Sequence, residues 1–362
     1  VVVGVDVLAG IGTDVALMHL HGIAQTARSA SLKKKARERL DEVAAERELT
    51  PEQLADRIAP DFGLDADGSM TLDYGPRRFK VGFDERLKPY VTDEDGALRK
   101  ILPRPSAKDD QELAPAAHKR FATLKKDVDR VAGDQIRRLE RAMAEQRGWR
   151  VDEFRTFLME HPLVWHIARR LVWTAETQEG AFSFRIAEDR TLADADDETV
   201  KLPDNASIAI AHPLLLGKEQ VDAWSELFAD YEILQPFPQL GRPVHTLSEQ
   251  EANWRHLERY EGMETSPRRL LGLRNRSWDA EEIDGYMGLD RIARNVGSDH
   301  RIVVAFSPGF EPRYLDDVDH VEIRQVSLTG SEGDTSRTVR FADLGPVTIS
   351  EILTDLEALR RA

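Results

Sequence analysis

The chain has 362 residues, 41% hydrophobic and 32% charged, with a formal net charge of −15, a pI near 5.2 and no cysteine. This is the balance of an ordinary globular chain with room for two or three structural units, and it excludes the bilayer as a solvent, because no apolar run approaches the roughly 18 residues of a span. Without thiols there are no disulfides, thiolate zinc sites or cysteine nucleophiles, which fits the cytoplasm, and the acid excess repels nucleic acid unless a local basic patch intervenes.

The chain opens on Val1 without a charged-then-apolar leader, which reads as a piece of a longer protein rather than a secretory precursor. Its first sixty residues have helical spacing: Leu32, Ala36, Leu40 and Val43 share one face, and Thr50-Pro51-Glu52-Gln53 supplies an N-cap, a first-turn proline and a capping-box glutamine. Leu49 and Leu54 complete a hydrophobic staple, and Pro60 ends the run. From Asp67 to about Leu102 the period becomes two, with Met70, Leu72 and Tyr74, then Phe79, Val81 and Phe83, predicting a small β-meander. Leu113, Phe121, Leu124, Val128, Val131, Leu139 and Met143 mark one face of a long amphipathic helix, and a second helix is expected over Val151 to Trp173.

Phe182, Phe184 and Ile186 alternate again, and the acidic loop Asp194 to Glu198 leads to an expected return strand and then to the apolar run 206–216. A helix centred on Trp224 and Leu227, another around Trp254 to Tyr260, and strands near Ile302–Phe306, Val321–Leu328 and Thr338–Phe341 follow, before a closing helix lined by Ile352, Leu353, Leu356 and Leu359. The expected class is α+β. Residues 1–60 read as the end of a helical-repeat-like region, with one α+β domain over 61–362: a meander at 61–105, a helical pair at 106–180 and mixed structure beyond.

Catalytic and cofactor signatures fail one by one. Gly10 and Gly12 give G-x-G, but Val15 holds the third glycine position, so a turn between helices is the better reading than a phosphate loop. Asp65-Ala66-Asp67-Gly68 and Asp93-Glu94-Asp95-Gly96 imitate a calcium loop, yet Gly63 or Val91 stands first and Tyr74 or Leu102 twelfth, so both are expected to be turns. His161 and His166, like His19 and His21, have no metal-ligand spacing, and no metal or other cofactor is expected. Ser298-Asp299-His300 lists triad residue types consecutively, where neighbours cannot relay a proton. The basic residues between Lys119 and Arg141 interleave with acids as on a solvated helix face, whereas Arg268, Arg269, Arg274 and Arg276 around Trp278 form the better candidate for an anion or nucleic-acid patch.

The most informative stretch is DYEILQPFPQLGRP, residues 230–243. Pro236, Pro238 and Pro243 hold an extended path, and Tyr231, Phe237 and Leu240 carry apolar surface that is costly to leave in water, so the segment reads as a strap over the core that presents Gln235 and Arg242 at fixed positions. His212, before Pro213 at a strand end, is the histidine placed to face a cleft.

Three runs, GPRRFKVGFDERLKPYV (75–91), HPLVWHIARRLVW (161–173) and ADYEILQPFPQLGRP (229–243), together resemble the bacterial domain of unknown function at the C-terminal end of molybdate metabolism regulator-like (MolR-like) proteins. The resemblance implies helical repeats upstream, a WGR domain in some relatives, and an adaptor role beside an AAA+ ATPase system. It brings no established catalytic residues. The expected function is a non-catalytic protein-interaction or regulatory module. The alternatives are an enzyme with an unfamiliar site near His212, Tyr231, Gln235, Phe237 and Arg242, and a nucleic-acid-associated module working through Arg268 to Trp278.

Overall fold

The computed structural model describes residues 2–27, 29–99, 101–282, 288–297, 299–330 and 339–360. The chain divides into two compact units. The first comprises Val1–Arg138, Trp149–Ile208 and Ile233–Pro236; the second comprises Leu139–Gly148, Ala209–Glu232 and Phe237–Ala362.

The first unit begins with helices α1 (Val2–Ile11), α2 (Asp14–Thr26), α3 (Ala30–Glu46) and α4 (Pro51–Arg57). They pack around Val5, Leu17, Leu20, Ala36, Leu54 and Ile58, and α1 turns into α2 at Gly12, whose φ of +64° favours a residue without a side chain. The expected capping box at Thr50 and Gln53 is present, with Leu49 packed against the same core as Leu54.

The meander follows as β1 (Met70–Asp73), β2 (Arg78–Phe83), β3 (Pro89–Thr92) and β4 (Leu98–Arg99), antiparallel neighbours in that order, with Met70 opposite Val81 and Leu72 opposite Phe79. The two acidic loops are turns: Gly68 N–H donates to Asp65 O at 2.8 Å and Gly96 N–H to Asp93 O at 2.9 Å, while Asp67 accepts from Lys80 and Asp93 from Arg99. The long helix α5 runs Leu113–Ala144, its residues through Arg138 belonging to the first unit.

The second helix expected over Val151 to Trp173 does not form. After β5 (Gly148–Arg150) comes a single turn, α6 (Val151–Phe154), a π-helical turn at Arg155–Met159, another short helix α7 (Trp165–Ala168), and β6, which starts at Trp173 (Trp173–Thr177). The apolar residues there reflect all-round burial rather than one helical face, and Pro162 removes a backbone donor and disfavours helical geometry in His161. Strands β7 (Gly180–Ile186), β8 (Leu192–Ala193) and β9 (Ser207–Ile210) complete a sheet ordered β5-β9-β6-β7-β8. The return strand expected after Glu198 shrinks to one bridge between Ala193 and Thr199.

The second unit takes α8 (Pro213–Asp230), α9 (Glu249–Ala252), β10 (Glu264–Thr265), α10 (Pro267–Gly272), β11 (Asp279–Glu282), β12 (Leu289–Val296), β13 (His300–Phe310), β14 (Val321–Gly330) and α11 (Pro346–Glu357). Its sheet is antiparallel in the order β10-β14-β13-β12-β11, and Ile352, Leu353 and Leu356 of α11 share its core with Ile302, Val304 and Val326. The helix expected over Trp254 to Tyr260 is instead extended chain paired with β14, Leu257 N–H donating to Val326 O at 3.0 Å and Leu328 N–H to Arg255 O at 2.8 Å, ending in a 3₁₀ turn at Glu258–Tyr260. An open sheet edge offers these backbone groups partners, and that outweighs the three-residue spacing of the buried Leu257 and Tyr260. Of the strand expected at Thr338–Phe341, Thr338 lies outside the described residues, Val339 and Arg340 are irregular, and Phe341 opens a 3₁₀ turn. With its helices and antiparallel sheets, the chain has an α+β fold.

Candidate functional site

In the second unit, β9 ends at Ile210 and Pro213 opens α8, which leaves His212 as the N-cap. Its Nδ1 accepts the Leu214 N–H at 3.2 Å, so Nε2 carries the proton and donates it to Glu351 Oε1 at 3.2 Å. Glu351 comes from α11 and is 3% exposed. Arg242 grips the same carboxylate with both ends of its fork, Nε to Oε1 and Nη2 to Oε2, each at 2.6 Å, and its Nη1 reaches Glu140 Oε1 at 2.8 Å. Burial alone would raise the Glu351 carboxyl, but the hydrogen bonds from His212 and Arg242 outweigh it and bring it down to about 2. Burial likewise opposes the Arg242 charge, and Glu351 with Glu140 more than restores it, so its proton is held above the usual guanidinium range.

Neighbouring bonds tie the strap to this cluster. Gln239, fully buried, donates Nε2–H to Ala211 O at 2.8 Å, and the buried Ser350 Oγ accepts the His245 N–H at 3.1 Å. Phe237 and Leu240 are buried, whereas Tyr231, the C-cap of α8, is 48% exposed. The structure therefore brings His212 and Arg242 together on Glu351. Gln235 is half-buried and belongs to the first unit, along with Leu234, whose carbonyl accepts from Arg170 at 3.1 Å.

The arrangement is suited to holding structure. The acceptor nitrogen of His212 is taken by a backbone N–H, so the ring has no lone pair to offer a substrate proton in this state. Both carboxylate oxygens of Glu351 are bound by cations or polarised donors.

The arginine-rich segment forms a second cluster. Asp355, one turn beyond Glu351 on α11, accepts from Trp278 Nε1 at 2.8 Å, Arg276 Nη1 at 2.7 Å and Arg294 Nη1 at 2.9 Å. Trp278 is 1% exposed, so its ring is core and not a stacking platform. Arg268, Arg269, Arg274 and Arg276 keep exposed surface, with Arg269 donating to the Arg360 carbonyl. Ser298 lies outside the described residues, and His300 opens β13. His161 closes a local turn, its Nδ1 accepting from Leu163 and Val164, and burial lowers its basicity. Among the described residues, no group of three or more histidines and carboxylates is placed to hold a metal ion, and no helix is long and apolar enough to cross a membrane.

Glu351, Asp355, Gln239 and Ser350 escaped the sequence reading, and Glu140 was read only as one of the acids interleaved on the long helix. One signal was available: in the closing helix, Ser350, Glu351 and Asp355 interrupt the apolar positions Ile352, Leu353 and Leu356, and polar residues on a core-facing stripe require buried partners.

The domain of unknown function DUF4132 matches residues 96–278, about half of the chain. The chain belongs to this family. The DUF4132 match contains His212, the strap and the Arg268–Trp278 segment, while α1 to α4 and the Glu351 and Asp355 anchors lie outside it. A curated relative, the uncharacterized protein YehI of Escherichia coli K12, is 36% identical over 355 residues, which is 97% of this chain and 28% of the relative. The chain thus spans little more than a quarter of the length of that curated relative. No solved structure matches it.

Proposed function

We propose that this DUF4132 chain is a MolR-like, non-catalytic interaction module of the cytoplasm that docks an apolar helix of a partner protein on α1. The observation that carries the reading is the composition of that helix. In VVGVDVLAGI the one charged residue is Asp6, and it is engaged by Lys35 Nζ at 2.6 Å and Arg39 Nε at 2.8 Å. One face packs inward through Val5, with Leu8 and Ala9 against the same core. The other carries Val3, Val7 and Ile11 at successive fourth positions, 72%, 53% and 56% exposed. A helix apolar all round belongs in a core, and here the face with Val3, Val7 and Ile11 is exposed among the described residues.

The buried, mutually satisfied state of His212, Glu351 and Arg242 supports a structural rather than chemical use of the most polar part of the second unit. An AAA+ ATPase system, with WGR or helical-repeat segments in the same polypeptide, is the partner class that the MolR-like resemblance puts first. The test is Val7→Lys with Ile11→Lys, set beside a chain in which residues 230–243 are scrambled. Partners that co-purify with the parent chain are reconstituted from purified components. The expected result is an unchanged unfolding midpoint for the α1 variant with at least about tenfold weaker binding. Unchanged affinity in a correctly folded α1 variant would sink the reading.

A further inference from the structure

A feature of the first unit that this function leaves unused is a cavity of about 400 Å³ between α2, α4 and α5. That volume lies in the range of small-molecule sites, and the lining has the usual mixture of an apolar floor and a few polar groups. Ile23 comes from α2, Ala55 and Ile58 from α4 and the residue after it, and Val131 from α5, with Pro60 and Phe62 closing the same side. The polar wall is provided by α5, on which Arg130, Asp134, Gln135 and Arg137 line the space, and by His19 and His21 of α2.

The acceptors of this wall are already engaged. Asp134 takes His21 Nε2 at 3.3 Å and pairs with Arg137 at 3.6 Å, and Asp127 pairs with Arg130 at 3.4 Å. Burial would raise the Asp134 carboxyl, but His21 and the neighbouring arginines hold it below the usual range, so it stands as a charged acceptor for those groups. Donors are what remain. Gln135 is 5% exposed, and its Oε1 accepts Arg138 Nη1 at 2.9 Å. An arginine can only donate, so the amide orientation is fixed, and the planar group turns its NH₂ away from Arg138. That nitrogen has no hydrogen-bond partner among the described residues, yet it is not sealed among the buried unpartnered atoms, so it is open at the cavity wall. A donor open at the wall of a nearly buried amide is satisfied by water or by an acceptor group of a ligand that displaces it.

We propose that this cavity binds a small organic acid. Its apolar body lies on Ile23, Ile58 and Val131, its carboxylate accepts from Gln135 Nε2, and Arg130 and Arg137 supply counter-charge at the rim. In a chain of net charge −15, this wall sets two arginines and two histidines against two aspartates, so it lacks the general acid excess that repels anions.

The discriminating variant is Gln135→Glu. It keeps an acceptor for Arg138, so the fold is retained, but it deletes the donor and places a negative charge against the ligand carboxylate. Phenylacetate and hexanoate are titrated into the 362-residue chain and followed by ¹⁵N correlation spectra, the Gln135 side-chain NH₂ pair being assigned as the pair missing in the variant. Both acids are expected to shift that pair, and the variant is expected to bind them at least about tenfold more weakly, while neutral phenylacetamide shifts the pair little in the parent. A pair that stays still at the highest acid concentration would overturn the proposal. So would equal binding by parent and variant, or a response to an acidic peptide but to neither small acid.

Discussion

Each unit contains a buried aspartate that receives a tryptophan N–H and an arginine, and the two clusters differ in redundancy. In the first unit Asp56 accepts from Trp149 Nε1 at 2.9 Å and Arg138 Nη2 at 2.7 Å, and Arg138 also reaches Glu52 Oε2 at 3.0 Å and Gln135. In the second, Asp355 is the one carboxylate that Arg276, Arg294 and Trp278 share. The contrast teaches that the worth of a buried carboxylate depends on what its partners retain when it is removed.

That contrast sets the largest expected effect. Asp355→Ala leaves the buried guanidinium of Arg294 uncompensated and the Trp278 donor unpaired, and is expected to cost about 3–5 kcal/mol in urea unfolding. Asp56→Ala leaves Arg138 with Glu52 and is expected to cost about 1–3 kcal/mol. If the Asp56 variant proved the less stable of the two, the redundancy argument would be broken.

Acid separates the units more finely. Burial, only partly opposed by the bond to Gly68 O, lowers His166 of the first unit from 6.5 to about 4. Its folded state therefore holds the proton less tightly than the unfolded chain, and the first unit loses stability as pH falls from 6.5 towards 4. Glu351 of the second unit is shifted from 4.5 to about 2, so its bonds contribute fully above pH 4.5 and are lost as pH falls towards 2. Hydrogen exchange read separately on peptides of each unit should show the first loosening in the upper window. His166→Gln should shrink that step, the rest coming from His161, which burial lowers in the same unit, and Glu351→Gln should flatten the lower one in the second unit. Simultaneous loosening of both units between pH 6.5 and 4 would show that His166 does not set the difference.

Local rules with a definite geometry were legible. The Thr50–Gln53 cap, the alternation of Met70 and Leu72 against Phe79 and Val81, and the amphipathic spacing of α5 each depend on residues close in sequence, and each appears as read. Segments whose backbone partners come from far away were not. Residues 254–257 look helical by spacing, but β14, some seventy residues later, supplies their hydrogen bonds. The same distance hid the sites. His212 and Arg242 could be singled out one at a time, whereas Glu351, which joins them, lies over a hundred residues further along the chain. Gln135 was not singled out among the charged residues of α5, and His19 with His21 showed no ligand spacing; only the folded chain sets α2 and α4 beside that face of α5.

The strap gives the smallest and most local test of the same idea, that a side chain matters by what it leaves behind. Tyr231 and Phe237 are both aromatic and six residues apart, and the sequence alone gives them similar claims to burial. Phe237 is 5% exposed, whereas Tyr231 keeps 48% of its surface in water at the end of α8, where its backbone N–H is already bound by Leu227 O. Deleting the half-exposed Tyr231 ring opens less cavity than deleting the buried Phe237 ring. Tyr231→Ala is therefore expected to cost less in urea unfolding than Phe237→Ala, for which about 3–5 kcal/mol is expected. Equal losses would mean that the tyrosine ring, like Phe237, is part of what secures the strap.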